Sequence, residues 1–404
     1  MKISKFIPWV FILSACALLA IGRVYDERLV LFDINLPIVI SSIYFLCVIF
    51  ILFSIKRITF SKSKFLFYLF YLLVLIVNPI LWMIFGKTDF GLGNFINFSL
   101  IIVPISIIVL EKYERKDVLR TVYVLLLVSC FLALLSSIGL SLSDRPDGRL
   151  ATLGGGPIVF ARWMGFGIIS LLLLPTAIRK RYRYGIALLF LILALSSGSR
   201  GPILSLFLTG MVYIFLNFNK VIIKTSLLVI LIISIFSFSG LENKLSDFGK
   251  LDRVFMNISK KGGSFQSTSA RARLITSSFV MLQNYPFGVG SGNWRVVSNQ
   301  LRPNDLTPDE LEYPHNLFLE VACEYGIATF IVIVFLFLYV FYLSYIRMVR
   351  YYRDKTSLYT LLFYLLIFFS LNSMVSGMLN DSRLLFLIIS FILIQKPLIM
   401  VENE

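Results

Sequence analysis

The sequence predicts an all-α, polytopic membrane protein of about twelve transmembrane helices with one long outer loop. Of its 404 residues, 58% are hydrophobic, and the mean hydropathy is +0.86. Only 15% are charged, against about 25% in typical soluble domains. Apolar runs of about 17 to 25 residues recur along the chain, and each is long enough to cross a ~30 Å hydrocarbon core. A soluble enzyme, a disordered tail and a secreted disulfide scaffold are therefore excluded.

The apolar runs give the predicted organisation of the chain. The first run follows a basic start, as in a signal peptide, but no clean cleavage site precedes the charged stretch Arg23–Arg28, so we interpret it as a retained helix. Residues 1–140 then contain helices 1–5, residues 141–346 contain helices 6–10 with the outer loop 241–316, and residues 347–404 contain helices 11 and 12. The predicted spans lie near 6–22, 37–55, 65–86, 95–110, 118–140, 157–178, 184–198, 202–216, 221–240, 317–346, 357–379 and 383–400.

The net charge of +16 is explained by membrane topology. With the N-terminus inside, the predicted cytoplasmic segments hold 21 of the 38 Lys and Arg residues but only 6 of the 22 Asp and Glu residues. This asymmetry follows the positive-inside rule. We therefore expect a multi-pass membrane protein with cytoplasmic termini, in contact with membrane lipids, and no nucleic-acid partner.

No metal or other cofactor is predicted. The four cysteines, Cys16, Cys47, Cys130 and Cys323, lie in or beside apolar runs and have no metal-ligand spacing. A chain with one histidine cannot build a His-based metal site. The candidate chemistry must therefore come from charged and hydroxyl groups on the outer side.

The strongest candidate cation is Arg200, which lies between two apolar runs in the segment Ser196–Pro202. A charge at the bilayer centre costs about 2.5–3.5 kcal/mol even on the lenient insertion scale. Small neighbours allow a bulky anion to approach the backbone, and an arginine fork matches phosphate oxygens. The alternative is a hairpin turn whose arginine extends to the lipid headgroups.

Arg271 and Arg273 lie at the start of a predicted amphipathic helix, Ala270–Asn284, inside the long loop. Its apolar residues, among them Leu274 and Phe279, suggest a helix that lies on the membrane surface. The two arginines either bind an anionic substrate or pair with lipid headgroups.

His315 is placed where the long loop re-enters the membrane. Its ordinary pKa of about 6.5 suits a general base, although a lone histidine can equally be a structural hydrogen-bonding group. Glu320 and Glu324 follow at i,i+4 spacing on one helix face. In an apolar span they need partners, and we expect the arginines to provide them, so that these carboxylates either orient the cations or bind acceptor hydroxyls.

Four further charges lie on the predicted outer side and are weaker candidates, because each can be an ordinary loop or interface charge. They are Arg149, Arg162, Asp381 and Arg383. Together the candidates suggest an outward-facing cleft in which arginines hold a diphosphate and a histidine deprotonates a hydroxyl. Such a site would transfer a glycosyl group from a lipid diphosphate without a metal.

Three segments of the chain resemble the O-antigen ligase/polymerase family of bacterial envelope glycosyltransferases. In that family an arginine precedes a Pro-x-Gly-x-Gly turn by about fifteen residues, and Arg271 rather than Arg273 has this position. Arg149 begins a segment that is similar to a weaker upstream motif. The three segments are Ser197–Gly201, Arg271 through Pro286–Trp294, and His315–Glu320 with Glu324–Gly326.

The resemblance implies a C-type glycosyltransferase-like fold in the bacterial inner (cytoplasmic) membrane, with its site on the periplasmic or outer face. It implies an undecaprenyl-diphosphate-linked saccharide as donor, a saccharide or lipid A core as acceptor, and no metal; a chain-length regulator is an open question. The catalytic residues it implies are His315, Arg200 and Arg271. We add as substrate-binding candidates Arg273, Arg149, Glu320, Glu324 and Arg383.

Three functions are compatible with the sequence. The favoured one is a polymerase of lipid-linked repeat units, because it is the broader role. A ligase that transfers the finished polymer to lipid A core uses the same donor chemistry. A lipid-linked oligosaccharide flippase or other transporter belongs to a different class; it would favour paired halves and short loops on both faces, which this chain does not show.

Overall fold

A computed structural model describes residues 3–31, 33–55, 58, 61–138, 150, 155–174, 178–217, 264–302, 313–350 and 358–394. These residues are mostly helical, which confirms the α-helical class. The helices are α1 Ile3–Ile21, α2 Leu36–Phe53, α3 Lys62–Phe85, α4 Asp89–Asn97, α5 Val103–Lys112, α6 Arg115–Ser137, α7 Pro157–Leu173, α8 Lys180–Ser196, α9 Arg200–Asn217, α10 Ser264–Asn284, α11 Trp294–Leu301, α12 Leu317–Arg350, α13 Leu358–Ser376 and α14 Arg383–Ile394.

Six segments of the described chain are long and apolar enough to cross a membrane. Three shorter apolar helices accompany them: Phe6–Ile21, Pro157–Leu173 and Arg200–Leu216. The chain is therefore a membrane protein, whereas the number of twelve spans and the C-type fold stay predictions. Predicted span 221–240 and the end of predicted span 383–400 lie outside the described residues. The six segments are Leu36–Phe53, Lys62–Phe85, Asp89–Lys112, Arg115–Ser137, Leu317–Arg350 and Leu358–Ser376.

Several predicted boundaries shift. The span expected at 95–110 runs from Asp89 to Lys112, because Thr88 starts it by accepting a hydrogen bond from the Gly91 N–H and one π-helical turn joins α4 to α5. The helix expected from Ala270 begins at Ser264. One local exception to the all-α prediction is a minimal antiparallel pair, β1 Val30–Leu31 with β2 Ile34–Asn35.

Helix α13 is the centre of the bundle. It packs against α7, α9, α12 and α14, and most of its side chains are buried. The first helices join the same assembly, because α3 packs against α12 and α5 packs against α14. The segments predicted as N-terminal, central and C-terminal parts are thus interleaved in space, and the functional candidates are positioned by helices that are distant in sequence.

Basic side chains close helix ends at the end of the bundle that we predict to be cytoplasmic. Arg183 Nε donates to the carbonyl oxygen of Leu171 at 2.6 Å, near the C-terminus of α7. Lys112 Nζ donates to the carbonyl oxygen of Ser54, which follows α2, at 2.7 Å. Cations at these positions satisfy orphan carbonyl groups and oppose the negative end of the helix dipole.

Candidate active site

The site is organised around residues 374–382, here called the connector, which comprise the last three residues of α13 and the segment that joins α13 to α14. The first turn of α12 holds it at two points. Asn316 Nδ2 donates to the carbonyl oxygen of Met374 at 2.9 Å, and Glu320 Oε2 accepts from the backbone N–H of Leu379 at 2.8 Å. The chain that follows His315 is therefore tied to the connector by side-chain hydrogen bonds.

Arg162, in the second turn of α7, binds the connector from another side. Its Nη2 donates to the carbonyl oxygen of Ser376 at 3.0 Å and to its Oγ at 3.1 Å, and its Nη1 lies 3.5 Å from the carbonyl oxygen of Asp381. The side chain is buried. Ser376 ends α13, so its carbonyl has no helical partner, and a buried guanidinium requires such acceptors.

The first turn of α9 lies against the same connector. Gly198 has a φ of +64° and turns the chain between α8 and α9, so that Arg200 is the first residue of α9. A Cβ on Gly201 would lie 3.3 Å from Val375 Cγ1 and 3.6 Å from Ser376 Oγ. Glycine thus allows α9 to approach α13 closely where Arg200 begins the helix.

His315 has a left-handed backbone conformation, with a φ of +55°. This region is uncommon for residues other than glycine, and such strain is typical of functional sites. Its ring lies 4.1 Å, centroid to centroid, from the ring of Tyr313. The next residue, Asn316, caps α12 by accepting from the N–H groups of Phe318 and Leu319. His315, with its strained backbone, thus lies directly before the capped N-terminus of α12.

The second part of the site is the glycine-rich turn, residues 286–293, which pairs with a kink in α12. Gly326 has a φ of +84° and interrupts the helix. Backbone hydrogen bonds join the turn to both sides of this kink: Val289 N to Cys323 O at 3.1 Å, Gly290 N to Glu324 O at 2.8 Å, and Ile327 N to Pro286 O at 2.9 Å.

Helix α3 holds the other side of the glycine-rich turn. Asn78 Oδ1 accepts from the N–H of Ser291 at 2.6 Å, and Trp82 Nε1 donates to the carbonyl oxygen of Ser291 at 3.0 Å. Asn293 Nδ2 donates to the carbonyl oxygen of Gly86, just after α3. The glycine-rich turn is therefore hydrogen-bonded to α3 on one side and to α12 on the other.

The described contacts of Glu320 and Glu324 differ from the pairing with arginines that the sequence predicts. Both side chains are buried, and their carboxylates accept backbone N–H groups instead: Glu320 from Leu379, and Glu324 from Gly292 at 2.9 Å. The backbone of a connector and a tight turn offers donors that a sequence pattern does not reveal. Glu320 thus holds the connector, and Glu324, one turn later, holds the glycine-rich turn.

Arg383 directly follows the connector as the first residue of α14. Its Nε donates to the carbonyl oxygen of Leu19 at 2.9 Å, its Nη1 lies 3.4 Å from that of Gly22, and it is 4.0 Å from the Asp381 carboxylate. Gly22 has a φ of +78°, and a Cβ there would overlap the guanidinium. These contacts tie the end of α1 to the start of α14.

The arginines of the long loop are less well defined. Arg271 lies in α10, but its side chain is outside what the structure describes, and Arg149 lies outside the described residues altogether. Arg273 is half-buried in α10. This helix packs against α12, where Ser278 bonds to Cys323 through its carbonyl oxygen. The helix that carries Arg271 is thus attached to the same part of α12 as the glycine-rich turn.

Arg162 is the residue that sequence reasoning undervalued. The sequence alone makes it a weak candidate, compatible with an interface charge, yet it is 5% exposed and contacts the connector directly. A signal was present, because an arginine inside an apolar run is by default a functional candidate. What the sequence did not show is its partner, which lies 214 positions along the chain.

Residues 185–334 match a family model described as O-antigen ligase. The match begins in α8 and ends in α12, and it lies within the predicted central part, 141–346. It confirms the family resemblance that the sequence motifs indicated. A search of curated protein sequences gave no match. The candidates inside the matched range are Arg200, Arg271, Arg273, His315, Glu320 and Glu324.

Proposed function

We propose that this membrane protein, whose residues 185–334 match a family model described as O-antigen ligase, is a glycosyltransferase that polymerises undecaprenyl-diphosphate-linked oligosaccharide repeat units. The product would be a surface polysaccharide such as O-antigen, capsule or exopolysaccharide. The site would face the outer side of the bacterial inner membrane, since the basic residues concentrate in the loops at the opposite end. The family match and the membrane-spanning helices support the general class of this proposal.

One observation carries the residue assignment: the segments that bear Arg200 and His315 meet the same three residues of α13, 374–376. Gly201 abuts Val375 and Ser376, and Asn316 binds the carbonyl oxygen of Met374. A cation suited to phosphate and a base suited to a hydroxyl therefore border one short segment, although 115 positions separate them in the sequence.

In the proposed reaction, Arg200 and Arg271 hold the donor diphosphate. His315 accepts the proton of an acceptor hydroxyl, whose oxygen forms a new bond to the anomeric carbon. The bond from that carbon to the diphosphate oxygen breaks, and the lipid diphosphate leaves with the electron pair. Fixed positive charge stabilises the leaving group, and direct displacement gives inversion. Arg149 and Arg273 are further candidates for phosphate contacts.

The described contacts suggest supporting roles for three of the residues proposed to bind substrate. The carboxylates of Glu320 and Glu324 are buried and bonded to backbone N–H groups, so they position the start of α12 and the glycine-rich turn rather than contact an acceptor. Arg383 similarly binds the backbone of α1. We retain His315, Arg200 and Arg271 as the residues that touch the substrates.

A ligase is the second candidate, favoured by the description of the matching family as O-antigen ligase. It would use the same arginines and base, but its acceptor would be lipid A core instead of another repeat unit. The two functions differ only in the acceptor, so product analysis separates them.

The test uses purified protein in detergent with its lipid-linked saccharide, with and without a lipid A core acceptor. A ladder of longer lipid-linked chains without the core would establish the polymerase, and transfer only in the presence of the core would establish the ligase. No product in either reaction, with authentic donor and folded protein, would overturn both in favour of transport.

The arginine assignment is tested by Arg200→Lys. The variant keeps the charge but loses the planar fork, so we expect it not to restore the activity that Arg200→Ala loses. Arg181→Lys, on the predicted cytoplasmic side, is the matched control and should be fully active. Full activity of Arg200→Lys would contradict bidentate binding of the diphosphate.

A further inference from the structure

A lipid-facing stripe runs along α12 and begins at its kink. The exposed hydrophobic side chains recur every three to four residues, which places them on one side of the helix. From Leu317 to Gly326, by contrast, the side chains are buried or half-buried. The stripe consists of Ile327, Ile331, Phe335, Leu338, Tyr342, Tyr345 and Val349, which are 40–63% exposed.

The part of α12 that follows the kink at Gly326 is long enough to cross the hydrocarbon core by itself. From Ile327 to Arg350 the helix has about 24 residues and a length of about 36 Å, sufficient to cross a ~30 Å core. The side chains of Glu320 and Glu324, in the preceding turns, are buried within the protein.

The glycine-rich turn is fixed at the depth of this kink. A Cβ on Gly288 would overlap the backbone of Glu324 and Gly326, and a Cβ on Gly326 would overlap the backbone of Phe287. The two chains thus touch backbone to backbone. The position of Phe287 relative to the start of the stripe is set by this contact.

Phe287 is 83% exposed, next to a second lipid-facing helix end. The last turn of α3 exposes Met83 (79%) and Ile84 (69%), and Trp82 in the same turn binds the glycine-rich turn. Met83, Ile84, Phe287 and Ile327 form what we call the apolar belt. An exposed apolar patch continuous with two membrane spans is typical of a membrane contact.

We propose that the apolar belt is embedded in the acyl-chain region of the bilayer, and that Phe287 anchors the glycine-rich turn at a fixed depth. The occupant of this surface is bilayer lipid, because the belt continues the lipid-facing sides of both α3 and α12. Through Glu324, which binds Gly292, the anchor sets the height of the α12 start above the hydrocarbon core. The proposal does not depend on the reaction that the site performs.

The test is a nitroxide on Phe287→Cys in protein reconstituted into phosphatidylethanolamine–phosphatidylglycerol nanodiscs. The label's collisions with oxygen, which partitions into lipid, are compared with those with a water-soluble nickel chelate. Phe335→Cys, in the middle of the stripe, calibrates lipid, and Lys116→Cys, with a 62% exposed side chain, calibrates water. The native cysteines Cys16, Cys47, Cys130 and Cys323 are first replaced by serine or alanine.

We expect the label at Phe287 to give an oxygen-to-nickel ratio close to that at Phe335 and at least tenfold above that at Lys116. A ratio like that at Lys116 would overturn the proposal. Exclusion of both reagents, or dipolar coupling between labels of two copies, would also overturn it, since the surface would then be covered by protein. Phe287→Trp with acyl-brominated lipids gives an independent measurement, in which strong additional quenching is expected.

Discussion

The guanidinium of Arg162 binds both polar atoms of Ser376, its carbonyl oxygen at 3.0 Å and its Oγ at 3.1 Å. This contact attaches α7 to the last residue of α13, beside the first turn of α9. We therefore expect Arg162 to act as a positioning residue in the proposed reaction, because it holds the connector that the segments of Arg200 and His315 contact.

Arg162→Lys should therefore lower kcat at least tenfold and leave the KM for donor within about threefold. A lysine keeps the charge but cannot make the same paired hydrogen bonds, so the connector shifts. Arg162→Met should be less active still, and it should lower thermal stability because the Ser376 carbonyl loses its donor, at a cost of about 1–3 kcal/mol. Steady-state kinetics and thermal unfolding in detergent measure both effects.

The matched control is Arg183→Met, which removes a similar arginine–carbonyl contact at the other end of α7. It should lower thermal stability while the folded fraction keeps its kcat. If Arg183→Met reduces kcat as much as Arg162→Met does, the effect of Arg162 is general destabilisation and not positioning.

His315→Asn should abolish activity without unfolding the protein. Asparagine tolerates the left-handed conformation that His315 adopts at a φ of +55°, but it cannot accept a proton as a base. Loss of general-base catalysis typically costs about 10²–10⁴ in rate. Turnover at saturating acceptor and the thermal unfolding temperature are measured together; near-normal turnover in a stable His315→Asn protein would remove the base assignment.

Gly326→Ala should destabilise the protein by more than about 1 kcal/mol, because a Cβ would overlap the Phe287 backbone and the φ of +84° disfavours alanine. Gly93→Ala in α4 is the control, since nothing lies within 4 Å of its added Cβ, and a helical glycine replaced by alanine gains roughly 0.5–1 kcal/mol. Thermal unfolding of the two variants should thus shift in opposite directions. Equal shifts would show that the turn and the kink do not touch.

Glu324→Gln should retain most activity, whereas Glu324→Ala should lose it. The glutamine carbonyl can still accept from the N–H of Gly292, so the glycine-rich turn is preserved without the negative charge. Alanine leaves that buried donor unsatisfied. Product formation by folded protein is the readout, and an inactive but stable Glu324→Gln would indicate that the charge itself acts on substrate.

The membrane class and the segments that carry Arg200 and His315 could be predicted from the sequence. The contacts that join these segments to the connector could not. Arg200 and His315 were recognisable because each interrupts or borders an apolar run and matches a family motif. The connector could not be predicted from the sequence, because it contributes mainly backbone atoms and hydroxyl groups, which have no sequence signature. The described partners of Glu320 and Glu324 could not be predicted for the same reason, because they are backbone N–H groups.

The α12 kink could not be read from hydrophobicity. Residues 317–346 form one apolar pattern in the sequence, and only the positive φ of Gly326 divides them into a buried start and a span with one exposed apolar side. A single glycine does not specify a kink, because glycines such as Gly93 and Gly210 lie in regular helices of this chain. Gly326 differs from these two glycines because the backbone of the glycine-rich turn packs directly against it.

The connector leaves the ribosome after all the segments that it holds. Residues around Arg162, Arg200 and His315 are synthesised before the atoms that bind them, at Met374, Ser376 and Leu379. The contacts between these helices can therefore form only after α13 and the connector have been made. A partly translated chain that ends before α13 thus has its arginines and histidine but lacks the backbone groups that join their segments.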